Sequence, residues 1–299
     1  MPIAPDSKSD SRLREAVPDA SISSSPVTLL DRDHSILAFN ERVLDWACRP
    51  AVPLLERLRY LCIVSSNLDE FFEVRAEPHL SASQAGEHRG LYTRESFEAL
   101  AASASRLVTH QYVIYNDQLL PAFRKRGIRI VAHGERTPAQ RRWVKAYFQR
   151  EVRPLLIPVG LDPSHPFPQV ANKSLNFIVR LGGRDAFGRA NGIAIVKVPR
   201  VLPRVIRLPD ELAPGQQAFV LLTSVIRAHL GELFPGREVE AFSQFRVTRD
   251  SDLDVDEDDV QNLRQALRTG LTTRHFGQAI RLEVVNSCPD ELSEFLLQQ

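Results

Sequence analysis

The sequence predicts a multidomain α and α+β protein, in which an N-terminal three-helix bundle is followed by an α+β domain. A long helical pattern from Pro53 to Arg75 repeats apolar residues three, four or seven positions apart, which is typical of a helix with one buried stripe. After about residue 128 the pattern changes to short runs rich in Val, Ile and Phe. The length of 299 residues is enough for two such domains.

The helical domain is expected to span residues 27–127, after a disordered tail at 1–26 that is rich in Ser, Pro, Asp and Lys. A short helix over FNERVLDWAC precedes the long helix, which Pro78 should end near Glu77. Residues Ser81 to Tyr92 are interpreted as a loop because two glycines lie among polar residues. A third helix is expected between Thr93 and Gly127, with Tyr112 among its inward residues.

The α+β domain is expected at residues 128–299. Thr137 and Pro138 predict a helix start. Further helices are expected at 225–233, 260–271 and 290–297. The predicted strands are short and separated by Pro, Gly and Asp, at 128–132, 177–181, 193–198, 205–208, 219–222, 242–248 and 280–285.

Composition excludes several classes of protein. A formal net charge of +1 does not indicate a nucleic-acid binder, and no apolar run reaches the length of a membrane span. Three cysteines without metal-site spacing favour reduced thiols and a cytoplasmic location. The motifs of nucleotide-binding loops, zinc proteases and serine hydrolases are absent. The acidic run from Asp250 to Asp259 lacks the glycine and terminal Glu of a calcium loop, so no metal site is predicted.

Asn67 and Tyr60 are the candidate binding residues of the long helix. They lie two turns apart on one face, and an aromatic ring with a carboxamide suits an adenine base, which can stack on the ring and pair with the amide. The alternative is structural: Asn67 is a polar residue satisfied within a helix–helix interface. His165, in a loop between prolines, is open to the same two readings, a phosphate contact or a backbone partner of its own loop.

Three motifs in order carry a resemblance to a known family. FNERVL (Phe39 to Leu44), PLLERLRYL and SSNLDEFFEVR (Ser65 to Arg75) resemble the N-terminal domain of bacterial polyphosphate kinases. The second half of the chain resembles the α+β head (middle) domain of that family through DPSHPFPQVANKSLNFIVRL, VKVPRVLPR, LFPG, FRVTRDSDLDVDE and RHFGQAIRLEV.

The resemblance implies an ATP:polyphosphate phosphotransferase that works through a phosphohistidine. It implies that Asn67 contacts ATP, that Tyr60 lies near the base, and that the head domain carries dimer contacts and the polyphosphate path. It also allows for peripheral membrane association. Arginines can hold phosphate oxygens through paired donors, so Arg204, Arg207 and Arg249 are the candidate polyphosphate contacts, with solvated strand-edge arginines as the alternative.

The chain also departs from the family pattern. Ile36 stands where a Trp is common, and Thr223 and Ser224 stand where an acidic pair is usual. The two C-terminal domains that carry the phosphohistidine, the magnesium ligands and most nucleotide contacts are not within these 299 residues, so magnesium is expected only with them. No catalytic residue is therefore assigned, and the chain alone is expected to be inactive. The alternative function is a non-catalytic interaction module derived from the head domain.

Overall fold

The computed structural model describes residues 31–86, 92–161, 167–184, 192–251 and 277–299. Arg32 to Gln299 cluster as one compact unit. The predicted tail at 1–26, His165, the helix at 260–271 and most of the acidic run lie outside the described residues. The assignment of a helical region followed by an α+β domain is confirmed, while the boundary at residue 127 stays a prediction.

The helical region contains three long helices and two short ones. Pro53 precedes α2, where a missing N–H costs nothing, and Thr93 caps α4 by accepting from Ser96 N at 3.1 Å. Gly127, with φ 73°, follows the last helix as a left-handed stop. The bounds are α1 Arg32–Cys48, α2 Leu54–Val74, α3 Glu77–Ala85, α4 Arg94–Val113, a π-helical turn Ile114–Leu119, and α5 Leu120–Lys125.

Three sequence expectations in this region were wrong. Ser81–Ala85 belong to α3, because Pro78 lies in the first turn of a new helix instead of breaking the old one. Tyr112 is 58% exposed, because it lies five residues after Leu107 and therefore off the buried stripe of Leu100, Ala104 and Leu107. In the π-helical turn that follows, Ile114 and Leu119 are buried five residues apart. The first helix is longer than FNERVLDWAC and starts at Arg32.

The α+β domain is built on two sheets. A three-stranded sheet has the order β1-β6-β5, and a five-stranded antiparallel sheet has the order β2-β4-β3-β7-β8. The predicted strands are all present within one to three residues, and β2 was missed because it is only three residues long. The strand bounds are β1 Ile128–Ile130, β2 Pro158–Gly160, β3 Leu175–Leu181, β4 Ile193–Lys197, β5 Val205–Arg207, β6 Gln217–Leu221, β7 Val239–Arg249 and β8 Ala279–Val284.

The two faces of the larger sheet pack into separate cores. Phe177 and Val196 share one core with α6 (Pro138–Tyr147) and α7 (Leu222–Arg227). Ile178, which follows Phe177, and Ile195, which precedes Val196, face α8 (Asp290–Leu297) on the other side of the sheet. Consecutive strand residues point to opposite faces, so a run of apolar residues such as FIV within LNFIVRL is expected where both faces are covered.

A buried polar network joins α1, α3 and α4. His79 Nε2 lies 3.0 Å from Asp33 Oδ2 and His79 Nδ1 lies 2.9 Å from Ser96 Oγ. Asp33 also accepts from Arg75 Nε at 3.1 Å. Both Asp33 and His79 are buried, so these contacts replace the water that each polar group loses on folding.

An ion pair ties α2 to the larger sheet. Arg246 of β7 donates from both terminal nitrogens to Asp69 of α2, at 2.8 and 2.9 Å, and from Nε to Glu283 of β8 at 2.6 Å. Burial alone would lower the pKa of Arg246, but the hydrogen bonds and charges of Asp69 and Glu283 raise it overall. Beside this pair, the guanidinium of Arg281 lies 4.6 Å from the centre of the Phe72 ring.

Glu73 makes a second attachment one helical turn further along α2. Its carboxylate accepts from Asn172 Nδ2 and from Lys173 Nζ, the latter at 2.7 Å, and its backbone carbonyl accepts from Ser251 N at 2.9 Å. Because Asp69 and Glu73 are four residues apart, they project from the same side of the helix. The C-terminal half of α2 is therefore held against the α+β domain by charge pairs on one face.

Arg246→Met should lower the free energy of unfolding by about 2–3 kcal/mol, because Asp69 and Glu283 lose their shared cation. Breaking a fully buried pair costs about 3–5 kcal/mol, and these side chains keep partial exposure. Urea denaturation measures the loss. Arg207→Met is the matched control, since its pair with Asp210 is solvated and should contribute almost nothing. Equal losses in the two variants would contradict the role given to Arg246.

His79→Ala should cost about 1–3 kcal/mol, because Asp33 and Ser96 lose a buried partner. Thermal and urea unfolding of the purified chain measure the change. His110→Ala is the control, because His110 is exposed on α4 and its replacement should leave stability within about 0.5 kcal/mol. A His79 variant as stable as the His110 variant would show that the network is dispensable.

Candidate functional site

Asn67 lies in the contact between α1 and α2. Its Nδ2 donates to Asn40 Oδ1 at 3.0 Å, and Asn40 Nδ2 in turn donates to the carbonyl of Val64 at 3.0 Å. Asn40 is 2% exposed, whereas Asn67 is only half-buried. The two asparagines of the FNERVL and SSNLDEFFEVR motifs are thus bonded to each other, and the half-exposed one is held in a fixed orientation.

This arrangement leaves Asn67 with unused hydrogen-bonding capacity. A carboxamide has two N–H donors and an acceptor oxygen, and within the described residues Asn67 uses one donor. One N–H and the Oδ1 atom remain, which is the pair of groups that an adenine edge requires. The structural and ligand-binding interpretations are therefore compatible, because Asn40 satisfies one donor and leaves the other available.

Tyr60 is placed differently from a free stacking platform. Its ring stacks on Trp46, with centroids 5.9 Å apart and planes 22° apart, and the guanidinium of Arg49 lies 4.0 Å from the Trp46 centroid. One face of Tyr60 is consequently covered by Trp46. The sequence pattern placed Tyr60 and Asn67 on one face of α2, but the stack depends on α1 and had no local signal.

Phe39 is a candidate that the sequence reasoning missed. Helices α1 and α2 run antiparallel, as the Trp46–Tyr60 and Asn40–Asn67 contacts require. Phe39 lies seven residues, or two turns, before Trp46 on α1, and Asn67 lies two turns after Tyr60 on α2. Phe39 is therefore placed relative to Asn67 as Trp46 is relative to Tyr60. The Phe39 ring is 54% exposed and has the Arg42 guanidinium 5.5 Å from its centroid. An exposed ring and an oriented amide thus share one flank of the helix pair.

The three arginines proposed for polyphosphate are not equivalent. Arg207 donates to Asp210 at 2.8 Å, and Arg249 donates to the carbonyls of Val170 and Gly277 at 3.3 and 2.9 Å. Arg204 is exposed, and within the described chain no carboxylate lies within ion-pair distance of it. Two of the three, Arg207 and Arg249, thus have contacts within the fold.

The pKa directions follow from these positions. Burial lowers the pKa of Arg249, which its neutral carbonyl partners do not offset. Burial, and then the positive charges of Arg200 and Arg246, lower the pKa of Arg204. Arg204 therefore stands in a locally positive field, even though the net charge of the chain is close to zero.

One departure from the family pattern has a visible consequence. Ser224 accepts from Arg136 at 2.6 Å, and Arg136 is 3% exposed. Burial lowers the pKa of Arg136, and its Nε atom is buried without a partner among the described residues. A neutral hydroxyl thus faces a buried cation at a position where the resemblance leads one to expect an acid. Ile36 packs against the helical core.

The described residues contain neither a metal-binding group nor a membrane-spanning helix. No group of three or more His, Cys, Asp and Glu side chains in them is arranged to hold a metal ion. No helix in the same part of the chain has the length and apolar character needed to cross a bilayer.

Comparison with known proteins gives two matches to domain families in consecutive order. The polyphosphate kinase N-terminal domain matches residues 29–131, and the polyphosphate kinase middle domain matches residues 139–299. Together they cover most of the chain, and they correspond to the helical region and the α+β domain described above.

Individual relatives agree with these matches. The chain is 50% identical to a polyphosphate kinase of Neisseria meningitidis serogroup B over 275 residues, and 48% identical to one of Burkholderia vietnamiensis over the same length. Each match covers 91% of this chain, which spans about 40% of the length of those relatives.

A solved structure shares the fold. The crystal structure of polyphosphate kinase from Porphyromonas gingivalis matches with a TM-score of 0.73 and 29% identity, over 91% of this chain and 37% of that one. With both domain families matched in order and a solved member sharing the arrangement of helices and strands, this chain belongs to the polyphosphate kinase family.

Proposed function

We propose that this chain is the N-terminal part of an enzyme that transfers the terminal phosphate of ATP to polyphosphate through a phosphohistidine. Its share of the work is to supply one wall of the nucleotide pocket and a surface that faces polyphosphate. The observation that carries the nucleotide part is the Asn40–Asn67 bond, because it orients an amide whose remaining donor and acceptor are unused within the described chain.

The chemistry of the wall is recognition of a base. The free N–H and Oδ1 of Asn67 match the acceptor and donor on one edge of adenine. Asn40 acts as a positioning residue, since an amide that cannot rotate loses less entropy on binding. The aromatic partner is Phe39 more than Tyr60, because the Phe39 ring is exposed while Trp46 covers one face of Tyr60.

The phosphoryl-transfer step itself is assigned to the rest of the enzyme. That step needs a placed acceptor, magnesium and several cations around the moving phosphate. The described residues hold no metal-binding cluster, and the Asn67 surface has a single amide for the base. ATP and polyphosphate are thus substrates that this part contacts, and magnesium belongs with the residues that the relatives have beyond this match.

The sequence also carries expectations about the partners and the location of the protein. Association into a homo-oligomer through the head domain and peripheral membrane contact are expected from the resemblance, and a cytoplasmic location is expected from the three cysteines without metal-site spacing. The alternative, a non-catalytic interaction module, keeps the same fold and differs in having no part in phosphoryl transfer. A chimera separates the two functions, because only the first predicts that this chain can replace the corresponding part of an active kinase.

The chimera joins this chain to the remaining length of the Neisseria meningitidis relative and should make polyphosphate from ATP. Within it, Asn67→Ala should lower kcat/KM for ATP about 5- to 150-fold, which corresponds to about 1–3 kcal/mol for a lost paired base contact. The same change should also cost about 1 kcal/mol of stability, because Asn40 Oδ1 loses its donor.

His79→Ala is the control for that stability loss, because it weakens the same bundle at a network distinct from the Asn40–Asn67 bond. Its kcat/KM for ATP should stay within about twofold of the unmodified chimera. Phe39→Ala, at an exposed position, should lower kcat/KM without a stability loss. A folded chimera with no activity, or equal kinetic losses in the Asn67 and His79 variants, would contradict the nucleotide wall.

The 299-residue chain alone should transfer no phosphoryl group. After incubation with γ-labelled ATP and magnesium, we expect no acid-labile label on the protein and no polyphosphate, and ATP affinity should be millimolar or weaker because one base contact offers little against the entropy of binding. Acid-labile label on His165 or any other histidine would contradict this division of labour and make the chain a catalyst in its own right.

A further inference from the structure

A concave surface lies on the α+β domain. It is a cleft of about 410 Å³ lined by Gln169, Ala171, Ser174, Lys197, Val198 and Arg200. This volume falls within the range of about 300–1,000 Å³ that is usual for small-ligand sites. Two of the six lining residues are cations, and none is an acid.

Ala171 and Ser174 of the lining belong to one turn. Ser174 N and Oγ both donate to the carbonyl of Ala171, at 3.0 and 2.6 Å. Lys173 within the turn has φ 56°, a left-handed conformation that non-glycine residues seldom adopt, and Glu73 of α2 holds its ammonium group. The turn is thus fixed by the same charge pairs that attach α2 to the sheet.

Both cations of the cleft are held by backbone carbonyls. Lys197 Nζ donates to the carbonyl of Gln169 at 2.7 Å, and Arg200 donates from a terminal nitrogen to the carbonyl of Asn172 at 2.6 Å. A carbonyl orients a cation but does not neutralise it. Lys197 retains two N–H donors and Arg200 retains four, all on groups that are already positioned.

Among the described residues, no acid lies within ion-pair distance of Lys197, Arg200 or Arg204. Elsewhere in the domain, the neighbouring cations Lys173 and Arg246 are paired with Glu73 and Asp69. Arg204 is close enough to Arg200 for the two charges to repel, so three uncompensated cations share one region.

We propose that this cleft binds a short run of inorganic phosphates, with Lys197 and Arg200 as its anchors and Arg204 at its margin. Phosphate oxygens are strong acceptors that suit the unused donors, and an uncompensated positive field favours a multiply charged anion over a neutral ligand. The choice of a linear phosphate chain rests on the proposed function, whereas the cleft and its charges do not.

Titration of the purified 299-residue chain with inorganic tripolyphosphate at about 50 mM salt tests this site, by calorimetry and ³¹P NMR. We expect saturable one-to-one binding that weakens steeply towards about 200 mM salt, as ion release from a polyanion requires. Lys197→Gln and Arg200→Gln should each weaken binding about tenfold and reduce the salt slope by about one. Arg94→Gln, which replaces an exposed arginine paired with Glu98 on α4, is the matched control and should bind as the unmodified chain does.

Unchanged unfolding midpoints are expected for all three variants, since the replaced side chains are exposed. No binding at low salt, equal losses in the Arg94 control, or equal competition by single-stranded homopolymeric RNA would overturn the site. A failed titration together with an intact Asn67 effect in the chimera would overturn the cleft alone. Normal tripolyphosphate binding without any Asn67 effect would support the cleft and contradict the nucleotide wall.

Discussion

The bidentate pair between Asp69 and Arg246 is the contact on which the arrangement of the two regions depends. The partners are 177 positions apart in sequence and belong to different secondary-structure classes, one in a helix and the other in a strand. Because the planar guanidinium can donate two parallel hydrogen bonds only to a carboxylate that lies in its own plane, the pair fixes orientation as well as distance. Glu283 completes the charge balance, so Arg246 remains charged although it is largely removed from water.

One helix performs two tasks because its residues alternate in direction. Asn67 and Asp69 are separated by about 200° around α2, so the first faces α1 while the second faces the sheet. Asp69 and Glu73 then share one side. The same short motif therefore holds an oriented amide on one side of α2 and two carboxylates that anchor the α+β domain on the other. If the sheet moved relative to α2, the charge pairs of Asp69 and Glu73 would break. The Asn40–Asn67 bond, which lies between α1 and α2, would not need to break.

Sequence reasoning succeeded where the signal was local. Apolar runs with β-branched residues marked the strands, and Thr137 followed by Pro138 marked the start of α6. It failed at Tyr112, because this aromatic residue lies five positions after Leu107 and so falls off the buried stripe of α4. It also missed Phe39, the covering of Tyr60 by Trp46 and the pairing of Asp69 with Arg246. Those features arise from contacts between distant segments, which a single pattern does not encode. Asn40 was within reach, since it lies in a motif that was recognised.

What distinguishes the arginines and lysines of the α+β domain is the group that holds each of them. When a carboxylate holds a cation, it balances the charge of that cation within the fold, as with Lys173, Arg207 and Arg246. A cation held by a carbonyl keeps its charge but has a fixed position, as with Lys197 and Arg200. Sequence shows only that arginines are frequent in this segment. The availability of each for an anion is decided by its partners, which lie in other segments of the chain and are not visible in the sequence.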